Sequence, residues 1–398
     1  MHAKSLVLDT PVSIANVAPQ AVLTSLQIGI QWRGQAAGGL DRVFHDLVQS
    51  LPAQGINVRG LVVGPADVAV TTKGLIQPFA APDAQFVQRL LGVRAKVDEI
   101  LSRGEADLVA AHFSLHIAAA LDRLRHIPLI MHFHGPWADE SLYEGEGRTG
   151  VFLKRLIEKY VYRRADRLVV LSHAFGDVLV KNYGVMPDRI RIIPGGVDLD
   201  HFHMRLTRQA ARQKLGWPTD RPILLSVRRL TERMGLDHLL LALQKIVKAQ
   251  PDVLLMMSGK GPLAETLQRQ TEALGLTAHV RFLGFMPDAT LPLAYRAADI
   301  NVVPSTALEG FGLTAAEALA AGTPSMVTPV GGLPEVVADL SSDLIFASNK
   351  VEDLAGGLID ALRGGIRLPS VEACEAYAAR FGLPRMAAET AAVYRECI

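Results

Sequence analysis

The chain has 398 residues, 49% of them apolar, with 41 Lys and Arg against 40 Asp and Glu. That length exceeds what one hydrophobic core usually organises, so two domains are expected, and the balanced charge argues against nucleic acid as a partner. The 2 cysteines, Cys374 and Cys397, form no metal-ligand spacing, no apolar run reaches the ~18 residues of a membrane span, and the N-terminus does not read as a signal peptide, so a reduced, cytoplasmic setting is expected.

Residues 1–20 carry no clear periodicity and read as an extension. Ser25–Trp32 reads as a first strand, followed by a loop with Gly34 and the pair Gly38-Gly39. A helical stripe of Leu40, Val43, Phe44, Leu47, Val48 and Leu51 comes next. Strand, glycine loop and helix together present backbone N–H groups to a ligand at the carboxyl edge of a sheet. The spacing is not G-x-G-x-x-G, so the dinucleotide fingerprint is absent here. Further strands at Val58–Gly64, Asp107–His112, Pro128–His134 and Arg167–Ser172, with helices between them, predict a parallel sheet covered on both faces. His134, beside Gly135-Pro136, falls where open sheets bind ligands; a hydrogen-bonded structural histidine is the plain alternative. Two stretches, Phe86–Arg103 and Gly150–Arg167, are amphipathic and basic. Such helices can lie on anionic lipid, and more often they simply pack on a core.

At Pro194-Gly195-Gly196 a strand-like run breaks, placing a boundary between a first domain, 1–195, and a second, 196–375. The alternation then restarts, with strands at Pro222–Val227, Val253–Ser258, Val280–Phe285, Asp299–Pro304 and Thr323–Val327. Leu236–Val247 is a helix, and Pro334 opens another after Gly331-Gly332. Gly259-x-Gly261-x-x-Ala264 partly matches a dinucleotide motif, but the next strand ends Arg281-Phe282-Leu283-Gly284-Phe285, without the acid a ribose would need. Two doubly wound α/β halves in tandem leave a cleft between them as the natural ligand site.

The segment Glu309-Gly-Phe-Gly-Leu-Thr-Ala-Ala-Glu317 lies between a predicted strand and a predicted helix. Gly310 and Gly312 let the backbone approach a ligand, and the helix N-terminus suits a phosphate or diphosphate. Eight positions separate Glu309 from Glu317. On one helix that is roughly 12 Å along the axis, whereas the carboxyls of a retaining glycosidase lie about 5 Å apart. The two are expected to touch different parts of one extended ligand. Thr314-Ala-Ala-Glu317 also reads as a capping box, which would make Glu317 a helix cap placed in the first turn.

Gly38-Gly39, His134-Gly135, Pro194-Gly195-Gly196-Val197-Asp198, Arg229, Gly259-Lys-Gly261-Pro262, Glu309-x7-Glu317 and Gly331-Gly332-Leu333-Pro334-Glu335 occur in one order along the chain. In that order they resemble the retaining glycosyltransferases of family four, group 1, which have the GT-B fold of two Rossmann-like domains facing across a cleft. The resemblance implies a nucleotide-sugar donor, a UDP- or GDP-sugar, on the second domain. It implies a sugar, lipid-linked or small-molecule acceptor on the first. Glu317 would hold the ribose, Glu309 would read the transferred sugar beside Phe311, and the N–H groups of Gly312 and Leu313 would join Gly38 and Gly39 around the diphosphate. Arg229 would meet the leaving phosphate, His134 the reacting face, and Arg281 the base. Same-face attack would need neither metal nor resident cofactor, since the nucleotide sugar is itself a substrate. Relatives usually carry lysine where this chain has Met234; Arg233 next door is expected to take over, with a solvated surface arginine as the alternative. Segment 376–398 would cross back onto the first domain. Peripheral contact with the membrane inner face, from the two basic helices, is a further expectation. The other readings are an epimerase or phosphorylase on this scaffold, or a nucleotide-sugar-binding protein without turnover, which Met234 favours.

Overall fold

The computed structural model describes residues 23–32 and 38–398; the residue 1–20 extension and Gly34 lie outside the described residues. Among the described residues, twelve strands form two wholly parallel sheets. In the first, β1 (Leu23–Gln31), β2 (Ile56–Val63), β3 (Ile76–Ala80), β4 (Leu108–Ala111), β5 (Leu129–Phe133), β6 (Arg167–Val170) and β7 (Ile190–Ile192) lie in the order β3-β2-β1-β4-β5-β6-β7. In the second, β8 (Ile223–Val227), β9 (Leu254–Ser258), β10 (Val280–Gly284), β11 (Ile300–Val303) and β12 (Ser325–Val327) lie in the order β10-β9-β8-β11-β12. Each sheet reverses direction of growth at its first strand, between β1 and β4 and between β8 and β11. That switch point opens a crevice at the carboxyl edge.

The strands are short apolar runs because both faces are covered: β4 and β11 are buried along their whole length. On one face of the first sheet the helix Gly39–Ser50 lays down Val43, Phe44, Leu47 and Val48. On the other, the helices Phe86–Ser102 and Arg148–Arg164 bury Val93, Val97, Ile100, Val161 and Tyr162. In the second sheet, Leu236, Leu239, Leu240, Leu243 and Ile246 of the helix Leu236–Ala249 face inward at helical spacing. Strand β3 has no counterpart in the sequence reading: Ile76-Gln-Pro-Phe-Ala80 carries a proline, which an edge strand tolerates.

The chain passes between the lobes twice, and the two passages are bonded to each other. Val197 N–H donates to Phe381 O at 2.7 Å, and Leu383 N–H donates to Val197 O at 3.1 Å. The helix Val371–Ala378 stays on the second lobe, where Cys374 and Ala378 are buried. The return therefore begins at residue 382 rather than 376. Beyond it, the helix Leu383–Arg395 packs Met386, Ala391, Val393 and Tyr394 into the first lobe. Tyr394 is fully buried; its hydroxyl accepts from Gln27 Nε2 at 3.0 Å and lies 2.8 Å from His132 Nε2. Tyr394→Ala should lower stability by roughly 3 to 5 kcal/mol, the range for emptying an aromatic site. Urea denaturation checks this, and a loss below about 1 kcal/mol would mean that the helix contributes little to the lobe it covers.

Candidate active site

The residues singled out in the sequence converge, with few exceptions, on the carboxyl edges of the two sheets. The helix Leu313–Ala320 follows β11, and Gly312 caps it with φ +100°, a left-handed value that favours glycine. The first-turn N–H groups of Leu313 and Thr314 have no carbonyl within the helix to bind. Glu317 lies in the second turn, 2% exposed. It makes no capping box, and the helix has no side-chain cap. One oxygen of Glu317 accepts from Tyr295 Oη at 3.0 Å, and the other pairs with Arg42, which reaches across from the first lobe. Arg42 also lies 3.3 Å from Asp288. Glu317's carboxylate raises the Arg42 pKa, with Asp288 adding to it against the effect of burial.

Glu309 is anchored differently. Its Oε2 accepts from Ser305 Oγ at 2.8 Å and from the guanidinium of Arg228. Burial pushes the Glu309 carboxyl up, but Arg228, Ser305 and Arg233 together outweigh it and hold it below the ordinary value. Arg228, not Arg229, is the arginine in contact: its Nη2 also donates to Ser305 Oγ at 2.6 Å and its Nη1 to Thr314 Oγ1 at 3.3 Å. Arg229 is exposed, close enough to influence Glu140 and Arg233. Arg233 is neither solvated nor joined to Glu309. It is buried, pairs with Glu140 of the first lobe at 3.2 Å and donates to Leu308 O at 2.9 Å. Those bonds place Arg233 at the seam, tied to Leu308 of its own lobe and to Glu140 of the facing one.

The glycines of the segment split into two kinds. Gly39 is exposed, with open space where a Cβ would stand, and Gly38 caps its helix. Gly310, by contrast, would place a Cβ 2.8 Å from Phe175 of the first lobe, and Gly332 would place one 2.7 Å from Ser172. At these two positions the absence of a side chain lets the lobes come close. Phe311 is buried against Phe381 with ring centroids 5.4 Å apart, and half-buried Leu313 packs on the cores of both lobes. Arg281 is exposed on the edge strand β10. Glu335 accepts from His173 N–H at 2.9 Å and Ala174 N–H at 3.0 Å, tying the second lobe to a helix start in the first.

His134 belongs to a cluster that the sequence reading did not assemble. His112, His132 and His134 are stacked, with His112 and His132 ring centroids 4.4 Å apart. Their protons follow from the amide of Gln27. Its nitrogen donates to Ser25 Oγ and Tyr394 Oη, so its oxygen must accept from His112 Nε2, 3.0 Å away. His112 Nδ1 is then an acceptor and takes the hydrogen of His134 Nε2 at 3.0 Å. His134 is left with an acceptor at Nδ1. Burial drives the His132 and His134 pKa values down to about 3, and it lowers His112 as well. The signal in the sequence was the run of histidines at the ends of adjacent strands, 112, 132 and 134; Arg42, Tyr295 and Glu140 had none. Among the described residues no group of three or more His, Cys, Asp or Glu is placed to hold a metal ion.

Comparison with known proteins decides the family. The model for glycosyl transferases group 1 matches residues 207–381, and that for glycosyltransferase family 4 matches residues 37–201. A D-inositol 3-phosphate glycosyltransferase of Catenulispora acidiphila is 35% identical over 310 residues, 74% of this chain and 72% of that protein. The chain belongs to the family 4, group 1 glycosyltransferases. A second D-inositol 3-phosphate glycosyltransferase, from Segniliparus rotundus, is 31% identical over 87% of this chain and 77% of that one. Among solved structures, sucrose-phosphate synthase of Thermosynechococcus elongatus has TM-score 0.77 at 21% identity, covering 94% of this chain and 98% of its own. The Anabaena protein HepE in complex with UDP and glucose has TM-score 0.76 at 20% identity, covering 94% and 100%. The glycosyltransferase thus has the GT-B fold.

The buried histidines set the sign of one pH effect. A histidine held neutral takes up a proton on unfolding, so it removes stability as pH falls from its ordinary 6.5 toward about 3. In the glycosyltransferase, Glu158 and Asp41 act oppositely, since burial raises their carboxyls to about 7 and about 6. Comparing wild type with His132→Gln isolates the histidine term. The stability difference should change by up to about 1.4 kcal/mol per pH unit against wild type as the solution is acidified. Urea titrations at a series of pH values read it, and parallel curves would mean that His132 is not held neutral.

Proposed function

We propose that the enzyme moves a sugar from a UDP- or GDP-sugar to an acceptor hydroxyl with retention of anomeric configuration. The observation that carries this reading is the arrangement about Gly312. The first-turn N–H groups of the helix, which have no partner within it, come between Glu309 and Glu317 along the chain, and each carboxylate is fixed by a different cation. Glu317, deep beside Tyr295, suits ribose hydroxyls; Glu309 suits hydroxyls of the transferred sugar; the helix start suits the diphosphate between them. Gly38, Gly39, Arg229 and Leu313 would border the same diphosphate, and Arg281 the base.

Bonding changes follow from that placement. The acceptor oxygen forms a bond to the anomeric carbon on the face from which the diphosphate departs. The bond from the anomeric carbon to the phosphate oxygen breaks, and its electron pair goes to the leaving diphosphate, which also takes the acceptor's proton. Fixed positive charge and aligned N–H groups stabilise the charge that develops there. His134, kept neutral, offers a hydrogen-bond acceptor and no second cation beside the positive anomeric centre. Glu309 and Glu317 are held by separate partners, which speaks against a nucleophile and acid–base pair working together. The reaction as proposed uses neither a metal nor a resident cofactor.

Incubation with a panel of UDP- and GDP-sugars should release UDP or GDP, undiminished by EDTA, and proton NMR should show product and donor with the same anomeric configuration. Inversion, or abolition of turnover by EDTA, would overturn the mechanism. Inositol 3-phosphate belongs among the acceptors tried, because the relatives' names point to it.

A lipid-linked acceptor has its own support. The helix Arg148–Arg164 turns Phe152, Leu153, Leu156 and Tyr160 outward, Phe152 being 59% and Tyr160 63% exposed, among Lys154, Arg155, Lys159 and Arg163. The helix Phe86–Ser102 likewise exposes Phe86, Val87 and Leu91. Exposed apolar groups flanked by lysine and arginine fit an anionic membrane surface, and we infer peripheral binding there. The enzyme should cosediment with vesicles containing phosphatidylglycerol, less in high salt, and Phe152→Ser with Tyr160→Ser should weaken it. Equal recovery of wild type and variant would remove lipid contact by this helix.

A further inference from the structure

Residue 234 is a methionine where the family resemblance implies a lysine, and Arg233 pairs with Glu140. A cation nevertheless stands at the centre of the site. Arg228 leaves the end of β8 with 5% of its side chain exposed, and its guanidinium fills the space between Glu309, Ser305 and the first turn of the helix at Thr314. Met234 Sδ lies 2.8 Å from its Nη2. A lysine at 234 would bring a second ammonium to the place where this guanidinium sits, and like charges at that distance repel. The two positions are therefore alternatives for delivering one positive charge to one spot.

Two further features mark this arginine as more than a partner for Glu309. Among the described residues its Nε is buried and has no hydrogen-bond partner, a cost that a purely structural arginine would be expected to avoid. Its charge also stands beside the positive end of a helix. Of the three arginines of this segment, Arg228 pairs with Glu309 and Arg233 with Glu140, and Arg229 is close enough to act on both Glu140 and Arg233.

We propose that Arg228 supplies the cation that meets the leaving diphosphate, and that methionine at 234 makes room for it. This rests on the nucleotide-sugar reading above. The role is held by the pair 228 and 234 jointly, so a lysine restored at 234 should work only when the arginine is gone.

The test compares wild type, Arg228→Ala, Met234→Lys and the double variant. Calorimetric affinities for UDP against UMP and for GDP against GMP are measured beside turnover. Arg228→Ala should lose about a hundredfold in kcat, the scale for removing one fixed electrostatic group. It should also erase at least about tenfold of the preference for diphosphate over monophosphate, the worth of one charge-assisted hydrogen bond. The double variant should recover most of both, while Met234→Lys alone should be worse than wild type. Arg228→Gln keeps a polar head for Ser305 and gives the same reading if the alanine variant folds poorly. An unchanged diphosphate preference in Arg228→Ala or Arg228→Gln, or a double variant no better than Arg228→Ala, overturns the assignment. If wild type binds neither UDP nor GDP, the nucleotide-sugar reading itself fails, and this one with it.

Discussion

Two parallel sheets that present their carboxyl edges to each other must come within contact distance without a wall of side chains between them. That constraint governs much of the molecule. Gly310 meets Phe175, Gly332 meets Ser172 and Gly195 meets Phe311, each at a distance that a Cβ would violate. Where the lobes touch through polar groups instead, the contacts are directional: Arg42 with Glu317, Arg233 with Glu140, and the carboxylate of Glu335 on the N–H groups of His173 and Ala174. A cleft with a floor this well specified can hold two reactants from opposite sides with little freedom, and such positioning is one way a site lowers a barrier.

Electrostatic order within the cleft follows the same economy. Each carboxylate is neutralised by one arginine, and the two arginines come from different lobes, so Glu309 is fixed within the second lobe whereas Glu317 is fixed between lobes. The histidines opposite are kept neutral by burial and by a hydrogen-bond chain running from Gln27 through His112 to His134. Arginine rather than imidazolium thereby supplies the positive charge that meets these two carboxylates.

The fold was legible because both sheets are buried on two faces, so every strand but β3 announced itself as an apolar run between helical stripes. Glu309 and Glu317 were legible through their spacing across a glycine turn. What escaped the sequence was pairing over distance. Arg42 and Glu317 are 275 positions apart, and nothing local links them. That Arg228, and not Arg229, turns inward onto Glu309 was equally hidden, because a chain of letters does not show which of two adjacent arginines faces the core. Gly310 and Gly332 lie against the other lobe while Gly39 stands open, a difference hidden in the sequence because contact between lobes and approach to a ligand leave the same mark there.

The helix Leu383–Arg395 has a consequence for how the protein comes into being. Tyr394 completes the hydrogen-bonding of Gln27 and His132, yet it is synthesised only after every strand of the second sheet. A nascent chain thus leaves the part of the first lobe's core filled by Met386, Ala391, Val393 and Tyr394 open until the second lobe has been made, so the first lobe cannot be completed before the second in the usual domain-by-domain order. The half that is made first is the half that is finished last.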